Sequence, residues 1–191
     1  MSIDIKDFYN EIAYEFDKTR VNIWKCVAKF LKKFESNSYI LDIGCGNGKN
    51  MLYRNDLKIK GIDISSELVK ICKKKNLDVI EGNMINLPFD NNTFDGLLVV
   101  ASYHHLTNND DRKKAINEMY RVVKDDGLVF IEVWDKIVNE WKSKSKNKTY
   151  IRYYHHYTQD ELANEIITFC PKFKLIEQGY EHDNWFIILK K

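Results

Sequence analysis

No apolar run in this sequence approaches the ~20 residues that a helix needs to cross a bilayer. Residues 1–7 mix acids with bases around no uninterrupted apolar core. That argues against a secretory signal, and the early acids argue against a transit peptide. Cysteine is sparse: Cys26, Cys45, Cys72 and Cys170 form no Cys-x-x-Cys pair and have no histidine at ligand spacing. No metal site is therefore expected, and free thiols in a reducing compartment are. Charge of one sign is lacking too, since 30 Lys and Arg face 28 Asp and Glu for a net charge of +2. Any nucleic-acid contact has to come from local patches. What is present is 44% hydrophobic and 30% charged, the balance of a soluble folded chain, and 191 residues suit one compact domain. The expected location is the cytoplasm, with the nucleus as a second compartment.

The hydrophobic period divides the chain. Phe8, Ile12 and Phe16 recur at helical spacing, and Ile23, Val27, Phe30, Leu31 and Phe34 trace a second helical stripe. After Ser36-Asn37-Ser38, residues 39–43 read as a buried strand. Strands at 58–62, 77–81, 94–100 and 128–133 follow, with helices at 65–75 and 110–123 and a turn at Asp125-Asp126-Gly127. This alternation implies an α/β fold, a parallel sheet with helices on both faces. Residues 135–148 are polar, lysine-rich and without period, and read as a mobile loop. Thr158-Gln159-Asp160-Glu161 is a capping box opening a helix that stops near Pro171. Two last strands, 172–177 and 185–189, flank Gly179 as an antiparallel hairpin. The expected domain, 1–191, holds helices in 1–36, a binding core in 37–133, a substrate-side loop in 134–157, and a helix with hairpin in 158–191.

A strand ending in Asp42 runs straight into Gly44-Cys45-Gly46-Asn47-Gly48. Glycines there let backbone approach a ligand closely and turn into the next segment without Cβ clashes. The next strand ends at Asp63, followed by Ile64, where a carboxylate accepts from both ribose hydroxyls. The third strand is followed by Gly82-Asn83-Met84, suited to an adenine edge and face, and the fourth by Ala101. These strand ends thus meet at one carboxyl edge of the sheet, where such folds bind ligands. The G-x-G-x-G spacing with its preceding acid points to S-adenosylmethionine rather than a dinucleotide.

On these residues the sequence resembles the class I methyltransferase family over nearly its whole length. The resemblance implies a Rossmann-like three-layer sandwich with a seven-stranded, mostly parallel sheet and an antiparallel C-terminal hairpin. Tyr9-Asn10-Glu11-Ile12-Ala13, Phe16, Thr19-Arg20, Asn86-Leu87-Pro88 and His104-His105-Leu106 are similar to a narrower group, the tRNA wobble-uridine carboxymethyl methyltransferases. So are Arg152-Tyr153-Tyr154-His155 and the end Gly179-Tyr180-Glu181-His182-Asp183-Asn184-Trp185. These last two blocks lie outside the generic cofactor core. Members of that group form the methyl ester of carboxymethyluridine in the anticodon. The chain departs from the pattern at Val21-Asn22-Ile23-Trp24, where prolines are usual, at Asn83 in place of Asp, and in the shortness of the stretch between Trp134 and Arg152.

A carboxylate acceptor has a reference pKa near ~4, so it needs a cation to aim it rather than a strong base. Arg20 is the candidate, because a guanidinium grips a carboxylate in a planar fork. His105, just after strand four, is expected to donate to the carboxylate or to a uracil carbonyl, with His104 packing or facing solvent. Trp134 is placed either to stack on a flipped base or to pack in the core. Lys144, Lys146, Lys148 and Arg152 interleave with Tyr150, Tyr153, Tyr154 and Tyr157, a composition that suits an anticodon loop as well as a solvated loop beside core tyrosines. Asp183, Asn184 and Trp185 serve either as pocket floor or as a hairpin turn.

The resemblance also implies a small zinc-binding activator subunit. The strand at 77–81 would lie at the sheet edge, where strand addition by that partner satisfies its backbone groups. Two rival readings share the fold: a small-molecule O- or N-methyltransferase, and a catalytically silent subunit that binds tRNA or a partner protein.

Overall fold

A computed structural model of the chain describes residues 4–135, 140–143 and 146–191. Two helices open it, α1 (Ile5–Thr19) and α2 (Lys25–Leu31). Then come β1 (Tyr39–Ile43), β2 (Lys58–Asp63), α3 (Ser66–Lys74), β3 (Val79–Glu81), β4 (Phe94–Val100), α4 (Asn109–Val122) and β5 (Val123–Trp134). A small hairpin, β6 (Glu140–Ser143) and β7 (Lys148–Ile151), precedes α5 (Glu161–Phe169), β8 (Lys174–Glu181) and β9 (Asn184–Lys190). Seven strands form one sheet in the order β3-β2-β1-β4-β5-β9-β8. β1 to β5 are parallel, and β9 runs antiparallel to both β5 and β8.

Alternation along each strand builds two apolar layers. Leu41, Ile43, Leu97, Val99, Ile131 and Val133 face α4 and α5, while Ile40, Leu98, Val100 and Phe130 face α2. A strand covered on both sides must be apolar throughout, which is why β4 carries no alternation. Its Gly96 admits the Phe34 ring, for an added Cβ would lie 2.3 Å from Phe34 Cζ. The helices start where the side chains allow: Ser65 Oγ accepts from Leu68 N–H at 3.2 Å, and Asn108 Oδ1 from Asp111 N–H at 2.9 Å.

Four expectations are corrected. The 135–148 segment is not a loop over its described residues: β6 and β7 pair there, Trp141 opposite Tyr150. The lysines obscured an alternation in which Trp141, Ser143 and Tyr150 turn toward α1, Tyr150 packing with Phe8 and Ile12. Lys146 pairs with Glu11, and Ser143 Oγ donates to Glu15 at 3.1 Å. Lys144 lies outside the described residues. Secondly, Gly179 sits inside β8 opposite Phe186, and the turn is made by His182 (φ 52°) and Asp183 (φ 59°). Thirdly, β3 begins at Val79 rather than 77, because Leu77 folds back onto the glycine turn, packing with Cys72. Fourthly, β5 reaches back to Val123, with Asp125 to Gly127 as a bulge between the Phe94 and Gly96 registers.

The C-terminal helix is tied to the rest by one partly buried carboxylate. Glu165 accepts from Arg112 Nε at 2.8 Å, from Tyr103 OH at 3.0 Å and from Tyr157 OH at 2.7 Å. Removing it strands a buried guanidinium and two buried hydroxyls. Glu165→Ala is therefore expected to lower unfolding free energy by ~3 kcal/mol, read as a lower urea midpoint at unchanged m-value. An unchanged midpoint would contradict this account of how α5 is held.

Candidate functional site

The carboxyl ends of β1, β2 and β4 open into a cavity of about 780 Å³ that α1 closes from above. At its base the chain leaves β1 through Gly44 (φ 70°), Gly46 (φ 57°) and Gly48 (φ 77°), conformations that side chains rarely adopt. A Cβ on Gly44 would fall 2.4 Å from Ser102 Cβ, so this wall admits only glycine. Asp63 anchors the turn: Oδ2 accepts from Gly46 N–H at 2.8 Å and Oδ1 from Ser65 N–H at 2.9 Å. Each oxygen keeps a second lone pair, and Asp63 lines the cavity, so the donor set fits a ribose diol. Burial pushes its carboxyl up to about 6. Asp42 lies deeper, outside the cavity wall; Oδ2 accepts from Asn50 at 3.4 Å, Oδ1 has no partner among the described residues, and burial pushes the carboxyl up to about 7.

Ile64, Asn83, Met84 and Ala101 line the cavity as well. Asn83 Oδ1 accepts from Ile85 N–H at 3.2 Å, which holds its loop and leaves the amide hydrogens as the groups for an adenine edge. Ala101 ends β4 in the left-handed region, at φ 51°. Asn47 faces the same space, but its amide donates to Asp17 Oδ1 at 3.0 Å and to the Arg20 carbonyl at 2.9 Å. It therefore straps the end of α1 onto the glycine turn. Gly48 lies behind the wall, packed by Leu77 and Cys72.

Cations and aromatic rings gather at the other end. Arg152 is 4% exposed, yet it lines the cavity and has no carboxylate partner among the described residues. Its guanidinium lies 4.8 Å from the Trp134 ring centre, 5.0 Å from Phe8 and 5.6 Å from Trp141. Arg20, also in the wall, stands 5.5 Å from the rings of Phe16 and Trp141. Desolvation lowers its pKa, and Arg152 adds to the repulsion.

His105 stands between these groups with both nitrogens engaged. Nδ1 is 3.0 Å from the Tyr153 carbonyl, which can only accept, so Nδ1 carries the proton. Burial pulls its pKa down to about 3, so the ring is neutral and Nε2 accepts from Tyr9 OH at 2.9 Å. The expected donation from His105 to a substrate has no free N–H in this arrangement. His104 is fully buried and packs, its Nδ1 accepting from Trp134 N–H at 3.3 Å.

The remaining candidates divide by strand alternation. Trp134 and its cross-strand neighbour Asn184 both line the cavity. Trp185, one residue on, falls on the opposite face against Tyr180, with ring centroids 4.4 Å apart. Asp183 occupies the hairpin turn, and Tyr154 sits behind the wall with its ring against Trp134 and His104. Sequence reasoning missed Tyr9, Trp141 and Lys49 as wall residues and Glu132 beneath it. Lys49 stacks 4.4 Å over Trp24, and burial raises the Glu132 carboxyl to about 8. Glu132 carried a visible signal, an acid in the middle of an apolar strand.

Residues 41–131 match the family described as methyltransferase domain. The chain is 44% identical over 126 residues to a tRNA (carboxymethyluridine(34)-5-O)-methyltransferase of Arabidopsis thaliana, covering 66% of this chain but only 31% of that protein. To the Schizosaccharomyces pombe protein of the same name it is 29% identical over 221 residues, covering 98% and 96%. To a putative methyltransferase of Encephalitozoon cuniculi it is 31% identical over 204 residues, covering 96% and 93%. Among solved structures, a chain of the complex between the Haloferax volcanii Trm112 methyltransferase activator and a putative methyltransferase superposes with a TM-score of 0.77. That match has 16% identity over 98% of this chain and 97% of that one, and shows a shared fold.

Asp63 has to be ionised to accept two hydroxyls fully, and its raised pKa means it gains a proton at milder acidity than an ordinary aspartate. Affinity for an adenosyl ligand, measured by calorimetry, should thus be flat above neutral pH and fall as pH drops through about 6. Asp63→Asn should weaken binding and remove that step. A wild-type affinity unchanged between about pH 7 and about pH 5 would sink the assignment.

Proposed function

We propose, for a chain that belongs to the family of S-adenosylmethionine-dependent methyltransferases, that its acceptor is the carboxylate of 5-carboxymethyluridine at the wobble position of tRNA. The product is the methyl ester. The observation that carries this reading is Arg152, a buried guanidinium in the cavity wall with no carboxylate beside it among the described residues. An unpaired buried charge is costly unless a ligand neutralises it. The acceptor's carboxylate is such a ligand, already ionised at neutral pH. The names of the Arabidopsis and Schizosaccharomyces relatives support the same substrate.

S-adenosylmethionine supplies an activated methyl group. The chain's own residues supply placement and dryness. The glycine turn and Asp63 hold the nucleoside, Asn83 and Met84 its base, and α1 excludes water from above. Arg152, with Arg20 as a second cation, strips water from the carboxylate and aims one oxygen. Trp134 offers an indole face beside Arg152 for a base extruded from the anticodon loop. Lys148, exposed on β7 over the buried Tyr150 ring at 4.7 Å, extends a basic rim for the RNA.

A small zinc-binding activator subunit is proposed to pair with β3. That strand is one edge of the sheet, and its far side carries no partner strand among the described residues. Strand addition would satisfy those backbone groups.

With labelled cofactor, the chain plus activator should place an alkali-labile label in tRNA bearing carboxymethyluridine and none in tRNA lacking it. Arg152→Gln should lower kcat/KM for tRNA by ~100-fold while cofactor affinity stays within ~3-fold. Absence of label in the modified tRNA rejects the acceptor. Equal loss of cofactor affinity moves Arg152 to the cofactor instead.

A further inference from the structure

Tyr9 opens one of the blocks that carry the family resemblance without being assigned a role there, and its side chain lines the cavity. Its hydroxyl is directional. The Tyr153 carbonyl fixes the proton of His105 on Nδ1, so Nε2 can only accept, and Tyr9 must turn its own proton toward it at 2.9 Å. Burial pushes the Tyr9 pKa up, so the proton stays in place. The oxygen therefore shows only lone pairs to its other neighbours. One of these meets Arg152 Nη1 at the long distance of 3.5 Å, and Tyr9 lines the cavity.

The location limits what those lone pairs can meet. Tyr9 lies within electrostatic reach of Asp63 on one side and of Arg152 and Arg20 on the other. Asp63 is the ribose end of the cavity, and the arginines are the end for the carboxylate. In the cofactor, the sulfonium is joined to the ribose through one methylene. A methyl group travelling from the ribose side to the arginine side passes between them.

We propose that Tyr9 is a contact residue for the sulfonium and its methyl group, presenting lone pairs because His105 holds its proton, with His105 as the positioning residue. The proposal rests on the methyltransferase reading and adds how the site favours the charged cofactor over its spent form. Transfer forms an oxygen–methyl bond, breaks the sulfur–methyl bond and leaves the electron pair on sulfur as a neutral thioether. An acceptor oxygen stabilises the polarised methyl hydrogens and the positive sulfur before transfer, and has little to hold afterwards. Neither group needs to exchange a proton with the acceptor, so both can remain fixed in a neutral bond.

The test uses the full chain and two ligands, S-adenosylmethionine and S-adenosylhomocysteine, whose affinities are measured by calorimetry. Tyr9→Phe should shift the ratio of affinities against the sulfonium by ~5-fold and leave the thioether within ~2-fold, the scale of one weak hydrogen bond. The proton resonance of a 13C-labelled cofactor methyl should move upfield in the same variant. His105→Leu frees the Tyr9 proton to turn into the cavity, so the ratio should move in the same direction, which keeps the idea testable if Tyr9→Phe does not fold. Equal weakening of both ligands, or an unmoved methyl resonance, would falsify the contact while leaving the methyltransferase reading intact. Failure of the wild-type chain to bind either ligand would overturn both.

Discussion

One hydrogen bond, from Gly46 N–H to Asp63 Oδ2 at 2.8 Å, sets where the rest of the site stands. It joins the turn after β1 to the end of β2, and the other oxygen of the same carboxylate holds Ser65 N–H. Ser65 then caps α3 and donates its hydroxyl to Asn10 Oδ1 at 2.8 Å, which brings α1 across the sheet edge. Asn47 and Lys75 complete the fastening, both bonded to Asp17 near the end of α1. A carboxylate with these backbone donors is thus a structural hinge-pin that also lines the cavity. The arrangement keeps its charge buried beside groups that can only donate, and leaves lone pairs for a ligand.

Among the described residues, Arg152 and Arg20 in the cavity wall have no carboxylate partner. Arg152 and Arg20 share the face of Trp141 and repel one another, while the nearby histidines are held neutral by burial. Aromatic faces make this tolerable, because they give a guanidinium a favourable surface without a counter-charge. A ligand that brings its own anion completes the site. Of the acids nearby, Asp63, Asp4, Asp111 and Glu140 line the cavity, Glu132 sits beneath Asn184 and Lys49, and Glu11 and Glu15 engage the β6–β7 hairpin.

Most of the fold was legible because its signals are local. The apolar runs of β1 and β4 and the serine start of α3 are each written in adjacent residues, whereas Asp125-Asp126-Gly127, a turn by composition, is a bulge inside β5. The elements missed were those whose pattern was carried by few residues among many lysines. In β6 and β7 only Trp141, Ser143 and Tyr150 face α1, and a segment rich in Lys and Ser reads as loop until α1 supplies its other side. The hairpin turn at His182 and Asp183 was displaced in the reading because Gly179 is the stronger turn former by composition. In the structure Gly179 is needed for a different reason: its missing Cβ makes room for the Phe186 ring, 2.5 Å from where that atom would be.

By itself the sequence determined the order of strands and helices outside the β6–β7 hairpin, the glycine turn, and the acids that end β1 and β2. These follow from spacing along one chain, where a side chain's role depends on its immediate neighbours. The tertiary structure alone decided which residues share the cavity. It brought Tyr9, His105 and Arg152 into one bonded series across 143 positions of sequence. It also turned Trp134 and Asn184 inward while Trp185 went to the opposite face. The proton on His105 is the clearest case, since a carbonyl from a distant loop fixes it and no pattern within the His104-His105 pair could. Such choices depend on distances between segments, and those exist only once the sheet has brought its carboxyl ends together.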